Sequence, residues 1–382
     1  MMLFDDQDDD DTDDFFGASE DEAAAAAPEL PKTPRTQTTL LGHEDIEKHL
    51  LELIASERFP STLIFNGTVG IGKSTMAYRL SRYLFKYKNN EDEGPSLFGD
   101  PEPPPSDTLA VPSTDIVFQQ VASGGYPDLL SIERAVDDKG KVKNHDLDEV
   151  RATTQFFRRT SSQGGWRVAI IDDADTMNWH AQNALLKILE EPPKKALLIM
   201  ISHRLGALLP TILSRAQVIN FQPLSDATLR QIVKDDMSRY EAQTQNRIIS
   251  MAAGSVSRAM MYADTECCAT MEKTVELLSA WPNLDWTAVQ YFSETIGGKG
   301  TGDAGQVAFR DTMLWLAYGL ARAKSLGQGH ELGAMLNGCS QGQLLKLCDD
   351  LKQHFDQVQI SSLDKRFMVL GAFTHFERLL RQ

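Results

Sequence analysis

The chain has 382 residues, long enough for two or three domains that each bury a core. Its net charge of −16 is unevenly spread: twelve Asp and Glu and no Lys or Arg fall within residues 1–30, so the remainder carries only −4 (−16 less those twelve). Cys267, Cys268, Cys339 and Cys348 lack C-x-x-C spacing and a matching His cluster, which argues against zinc or a disulfide framework, and no apolar run reaches the ~18 residues of a membrane span.

An acidic N-terminus is also unlike a signal peptide, so the expectation is a soluble, cytoplasmic protein with no membrane part. Residues 1–38 combine the acidic run, Ala23 to Ala27 and three prolines. Such a segment buries too little apolar surface to offset its ordering entropy and predicts a disordered acidic tail. Within it, Asp13-Asp14-Phe15-Phe16 reads either as a docking peptide or as part of a solvated tail.

An α/β domain is expected over 39–222. A helix runs through Leu50 to Ile54, and Leu63-Ile64-Phe65 is a short buried strand. Met76, Ala77, Leu80 and Leu84 then recur at helical spacing to about Tyr87. Residues 89–114, with Asn89-Asn90 and Pro103-Pro104-Pro105, read as a Pro-rich surface insertion. From Pro127 the pattern alternates: strand Leu129–Ile132, helix Asp146–Arg158, strand Trp166–Ile171, helix Ala181–Leu189, strand Ala196–Ile201. Apolar runs without alternation, such as Val168 to Ile171 and Leu197 to Ile201, are the mark of strands buried on both faces of a parallel sheet. After Phe221 no strand is evident. A compact helical lid is expected over 223–266 and an all-α domain over 267–382, with Cys267-Cys268 read as helix packing and a glycine-rich loop over 297–305.

The chemistry is concentrated at Gly67-Thr68-Val69-Gly70-Ile71-Gly72-Lys73-Ser74, which fits G-x-x-x-x-G-K-[ST] between a strand and a helix. A glycine-rich turn lets successive N–H groups converge on a phosphate, and the helix N-terminus adds its unpaired N–H groups. Gly67, Gly70, Gly72, Lys73, Ser74 and Thr75 are therefore assigned to a nucleoside triphosphate, with Lys73 reaching the β- and γ-phosphates and Ser74 helping to hold Mg²⁺. Asp172-Asp173 ends an apolar strand at the sheet edge where ligands bind. Asp172 is placed to hold Mg²⁺ and Asp173 to orient an attacking water, the alternative being a helix-capping pair. A catalytic base at this place is commonly Glu; Asp is one methylene shorter, which puts hydrolysis in question more than binding. Arg215 either pairs with a local carboxylate or projects toward a neighbouring subunit's nucleotide as an arginine finger. Arg258 either folds back on the chain's own nucleotide or is an ordinary exposed Arg.

These residues together resemble the AAA+ ATPases, and within them the clamp-loader subunits of bacterial DNA polymerase III, most closely the delta-prime group. The closer match lies in Leu41-Gly42-His43-Glu44, Tyr126-Pro127-Asp128-Leu129 and Gly164-Gly165-Trp166-Arg167-Val168. It continues in Asn183 through Pro193 and Leu209 through Arg215, all within residues 40–265. The resemblance implies an AAA+ core with a lid and a helical C-terminal collar, ATP and Mg²⁺ as cofactors, and Ser202 as a sensor. It also implies a hetero-pentameric ring of clamp-loader subunits that places a sliding clamp on primed DNA during replication, with Arg215 acting on the adjoining subunit. In the family that Arg lies in Ser-Arg-Cys; here Ala216 replaces the Cys. Related motor subunits carry a four-cysteine zinc module, whereas residues 1–266 contain no Cys, and no zinc is expected. The expected function is an ATP-binding stator. A hydrolysing motor subunit is the alternative, and a P-loop kinase or metabolic ATPase the third reading. Arg151, Arg158 and Arg159 are either a backbone contact for DNA or a solvated helix face.

Overall fold

Five parallel strands form one sheet in the order β2-β3-β4-β1-β5, in a computed structural model that describes residues 33–56, 59–88, 105, 107–134, 145, 147–162, 164–297, 303–361 and 364–379. The Asp13–Phe16 peptide, most of the Pro-rich insertion and the centre of the 297–305 loop lie outside the described residues.

In chain order the sheet region contains α1 (Glu44–Ala55), β1 (Thr62–Asn66), α2 (Lys73–Tyr87), α3 (Ile116–Ala122), β2 (Leu129–Ile132), α4 (Leu147–Arg158) and β3 (Arg167–Ile171). It continues with α5 (Trp179–Glu190), β4 (Ala196–Ser202), α6 (Pro210–Leu213) and β5 (Gln217–Asn220). Every residue of β3 and β4 is buried, because helices cover both faces. Leu63, Phe65, Val168, Ile170, Leu197 and Ile199 pack toward Leu50, Met76 and Leu80 of α1 and α2. The alternate residues Ile64, Ala169, Ile171, Leu198 and Met200 pack toward Val150 and Phe157 of α4 and Leu185 and Ile188 of α5. Period two along each strand thus divides one apolar run between two cores.

Three elements of the sheet region, β5, α3 and the one-turn α6, are absent from the sequence reading. β5 is four residues long and flanked by Gln217 and Asn220, too short and too polar to signal a strand. It pairs at the sheet edge with β1, so Leu209–Arg215 precedes the last strand instead of following it. α3 begins at Asp115, whose carboxylate accepts the Val117 N–H at 2.8 Å. The tail reading also extends too far. Arg82 donates to the carbonyls of Arg35 and Gln37, which ties residues 33–38 to α2. The far end of the insertion is not on the surface: Leu109 and Val111 are buried, and the Leu109 N–H donates to Glu47 at 2.7 Å.

After β5 the described chain is helical. α7 (Asp226–Ile232), α8 (Lys234–Met237), α9 (Ala242–Ala252) and α10 (Val256–Tyr262) share a small core with Met271 and Cys268. A larger core joins α11 (Thr265–Ser279), α12 (Trp286–Gly297), α13 (Asp303–Leu326), α14 (Gly333–Gly338), α15 (Gln341–Ser361) and α16 (Lys365–Arg378). Phe309 of α13 is fully buried among Phe292, Phe355 and Phe373. Cys267 and Cys268 are buried in α11.

Candidate nucleotide site

The site is assembled by sheet register. β1 and β4 run parallel with Asn66 opposite Ser202, and β3 lies beyond β4 with Ile171 opposite Met200. The residues that follow these strands therefore meet at one edge: the glycine-rich loop after β1, Asp172-Asp173 after β3 and His203 after β4.

The loop needs its glycines. Gly72, at φ 103, sits just before the first turn of α2, a conformation that costs glycine little and other residues much. Gly70, at φ 75, lies so close to α10 that a Cβ there would stand 1.8 Å from Ser257 Oγ. The start of α10 clasps the same turn, with Val256 N–H donating to Gly70 O at 2.8 Å and Ser255 Oγ to Val69 O at 2.9 Å. On the other side the buried His43 bonds Ile71 O at 2.6 Å.

Lys73, only 3 % exposed, donates to the carbonyls of Gly67 and Thr68 and to His203 Nδ1 at 2.9 Å. Burial pulls its ammonium down to about 8, against the attraction of Asp172, Asp173 and Asp175. Ser74 Oγ donates to Asp172 Oδ2 at 2.9 Å across 98 residues of sequence. Burial raises the Asp172 carboxyl above its ordinary value, with the Ser74 bond opposing. Thr75 is half-buried on the same turn.

Asp173 has a left-handed backbone, φ 48, and its carboxylate caps no helix. It accepts from His203 Nε2 at 2.6 Å and from Arg134 Nη1 at 3.4 Å. The His203 bond is the main reason its carboxyl is held low. Burial pulls His203 down, yet the Asp173 bond prevails and holds the imidazole above its ordinary value. Asp172 O is bonded by His145 Nε2 at 2.5 Å. Asp175 accepts the His203 N–H at 3.0 Å.

The structure brings Gly67, Gly70, Gly72, Lys73, Ser74, Asp172 and Asp173 together. Ser202 is fully buried beside them, but its hydroxyl accepts the Arg204 N–H at 3.2 Å, and the next residue, His203, supplies the side chain at the loop. Arg215 stands apart, half-exposed after α6, paired with Glu190 at 3.1 Å and donating to Thr211 O. Arg258 faces the C-terminal helices and donates to Asp311 at 3.2 Å. Arg151 pairs with Asp148 on its own helix, and Arg158 lines a groove of about 420 Å³ with Lys187, Glu190 and Glu191.

His203, His145, Arg134 and Asp175 are missing from the sequence reading. A signal exists for His203 and Asp175, which follow the buried strands β4 and β3 as Asp172 does. Arg134 and His145 reach the site from outside the regular elements, where spacing carries no information.

An oxygen donor set of Ser74 and Asp172 suits Mg²⁺, which takes one or two protein oxygens and fills its shell with water and phosphate. Among the described residues no cluster of three His, Cys, Asp or Glu could hold a metal, and no helix is long and apolar enough to cross a membrane.

Residues 42–225 match the family model described as DNA polymerase III, delta subunit. The DNA polymerase III subunit delta' of Bacillus subtilis (strain 168) is 27 % identical over 234 residues, covering 61 % of this chain and 64 % of that one. The Pseudomonas aeruginosa protein of the same name is 40 % identical over 97 residues, 25 % of this chain and 28 % of that one. This chain thus spans less than two thirds of the length of either relative. A Thermotoga maritima DNA polymerase III gamma subunit-related protein superposes with a TM-score of 0.39 at 16 % identity, covering 88 % of this chain and 99 % of that chain. By the family match over residues 42–225 and the delta' relatives, the chain is similar to the DNA polymerase III delta and delta' subunits.

Proposed function

We propose that the chain is a delta'-type clamp-loader subunit that binds Mg²⁺–ATP at its own phosphate loop and serves as a stator within a ring of related subunits. The observation that carries the nucleotide reading is the 2.9 Å bond from Ser74 to Asp172 beneath an intact loop. It joins the two oxygens suited to Mg²⁺. Lys73 would take the β- and γ-phosphates, the N–H groups of Gly70, Gly72 and the first turn of α2 would line the phosphates, and Ser74 and Asp172 would hold the metal. Bound Mg²⁺ supplies neutralisation of phosphate charge.

Two features support a stator over a hydrolysing motor. Asp173 is shorter than Glu by a methylene, and its carboxylate is already engaged by His203 and Arg134. Arg215, exposed at the end of α6, is the group the chain would offer to a neighbouring subunit's nucleotide. The sliding clamp and primed DNA would be engaged through the assembled ring.

Equilibrium titration of the full chain with a fluorescent ATP analogue tests this, with Lys73→Ala as control. Mg²⁺-dependent binding by the parent chain, weakened at least a hundredfold in the variant, is expected; two or more charge-assisted bonds to phosphate are lost. Equal binding by both proteins would place the nucleotide elsewhere. Sustained turnover by the isolated chain would turn the assignment to a motor subunit.

A further inference from the structure

His203 occupies a position that the proposed nucleotide chemistry leaves unused. Its two ring nitrogens face in different directions: Nδ1 meets Lys73 Nζ at 2.9 Å and Nε2 meets Asp173 Oδ1 at 2.6 Å. Lys73 can only donate and the Asp173 carboxylate can only accept. The pair therefore fixes the ring as the neutral Nε2–H tautomer, accepting at Nδ1 and donating at Nε2. Gly67 O lies 3.1 Å from Nδ1 and 2.7 Å from Lys73 Nζ. The ammonium thus bridges the imidazole and the loop carbonyl, which accounts for two acceptors lying so close together. The His203 backbone is held as well, its N–H donating to Asp175 at 3.0 Å, so the ring is not free to drift from this place.

The arrangement spends the donors of the phosphate-loop lysine within the protein. Three acceptors, Gly67 O, Thr68 O and His203 Nδ1, take the three N–H bonds of the ammonium. A phosphate oxygen that claims Lys73 must displace at least one of them. The two carbonyls belong to the loop that would itself wrap the phosphate, whereas His203 comes from another strand and is tied to Asp173.

We propose that His203 is a positioning residue that keeps the nucleotide-free site self-paired: it holds Lys73, and an arriving triphosphate must take the lysine from it. Because the same ring holds Asp173, capture of Lys73 by phosphate is felt at Asp173 through one imidazole. The residue thus acts through its two neighbours. This inference rests on the reading of the loop as a nucleotide site.

Two substitutions separate the two nitrogens. In His203→Gln the amide N–H stands near Nε2 and can keep Asp173, while the acceptor toward Lys73 is gone. In His203→Asn the shorter amide oxygen stands near Nδ1 and can keep Lys73. Titration of full-length proteins with the fluorescent ATP analogue should show Gln tightening binding about fivefold, the ratio that corresponds to one net hydrogen bond. Asn should return the affinity most of the way to the parent value. Weaker binding in both variants would make His203 a phosphate contact and overturn the proposal, as would no change in either.

Nitrogen-15 NMR of the imidazoles in the ligand-free chain gives an independent reading. The expected result is the Nε2–H tautomer for His203, with an Nδ1 resonance that moves when Lys73 is replaced by Ala. An Nδ1–H tautomer, or no response to Lys73→Ala, would overturn the clamp even if nucleotide binds. Conversely, absence of nucleotide binding in the parent chain would remove the nucleotide reading, and the tautomer with its response to Lys73→Ala would still decide the clamp.

Discussion

At the scale of the residue, single side chains in this site are shared between neighbours, and the sharing determines how each responds to its surroundings. His43 shows this with a clear sign. Its ring is buried against the edge of Phe221 and bonded to Ile71 O. Burial lowers its pKa below the ordinary 6.5, so the folded protein prefers the neutral imidazole. Between the folded and unfolded values the unfolded chain binds more protons, and stability therefore rises with pH there. The contribution is fully present above about pH 6.5. It is lost as pH falls through that value and stops falling below the depressed folded one. His43→Gln keeps a donor for Ile71 O but cannot titrate. Urea unfolding of parent and variant at pH 7.5 and pH 5 should give a smaller loss of stability on acidification in the variant. An equal loss in both would show that His43 stays paired when protonated. Comparing the two proteins removes the background from other titrating groups, including His330 and His375, whose values burial also lowers.

At the scale of the element, legibility followed how much of the signal was local. β3 and β4 are unbroken apolar runs covered on both faces, so their composition alone reveals them. The phosphate loop is equally plain, because its glycines, Lys73 and Ser74 fall at fixed spacing within residues 67–74. β5 carries no such signal; it is a strand because Leu63–Asn66 offers it an edge, and the side chains of Asn66 and Asn220 bond across it at 2.8 Å. His145 and Arg134 are invisible for a related reason: each arrives from a loop, and only the folded chain shows what it touches. The C-terminal helices were legible as helices, but their packing was not. Phe309 lies at the centre of that packing, fully buried and within ring contact of three other phenylalanines. Phe309→Ala should cost about 3–5 kcal/mol, from lost burial and a cavity its neighbours cannot fill. Chemical unfolding followed by circular dichroism would measure it. A cost below about 1 kcal/mol, the usual range for tolerated core swaps, would mean that α13 is not the axis of this core.

At the scale of the whole molecule, three bodies of packing meet through a few polar ties. The sheet region and α10 are joined at the phosphate loop by Ser255 and Val256. α10 in turn is joined to α13 by Asp311, which accepts from Tyr262 Oη at 2.7 Å and from Arg258 at 3.2 Å. Trp315 Nε1 donates to Ser250 Oγ at 3.0 Å nearby, and Arg247 of α9 bridges Glu272 and Glu331. A short helix thus touches the phosphate loop with its first turn and the C-terminal helices with its next. Of its ties to α13, the one from Tyr262 is the more consequential, since both groups are largely buried while the Arg258 side chain is 45 % exposed and screened by water. Removing the acceptor with Asp311→Ala leaves the Tyr262 hydroxyl without its partner. By the usual worth of a hydrogen bond to a charged group, α10 should lose about 2 kcal/mol of local stability. Hydrogen exchange resolved along the chain would measure this: amides of α10 should exchange roughly 30-fold faster, the factor that such a free energy implies, while those of β3 and β4 keep their protection. Asp311→Asn, which preserves an acceptor, should recover much of the difference. Unchanged exchange in α10 would mean that its seat on the glycine-rich loop alone fixes it, and that the C-terminal helices carry no information to that loop by this route.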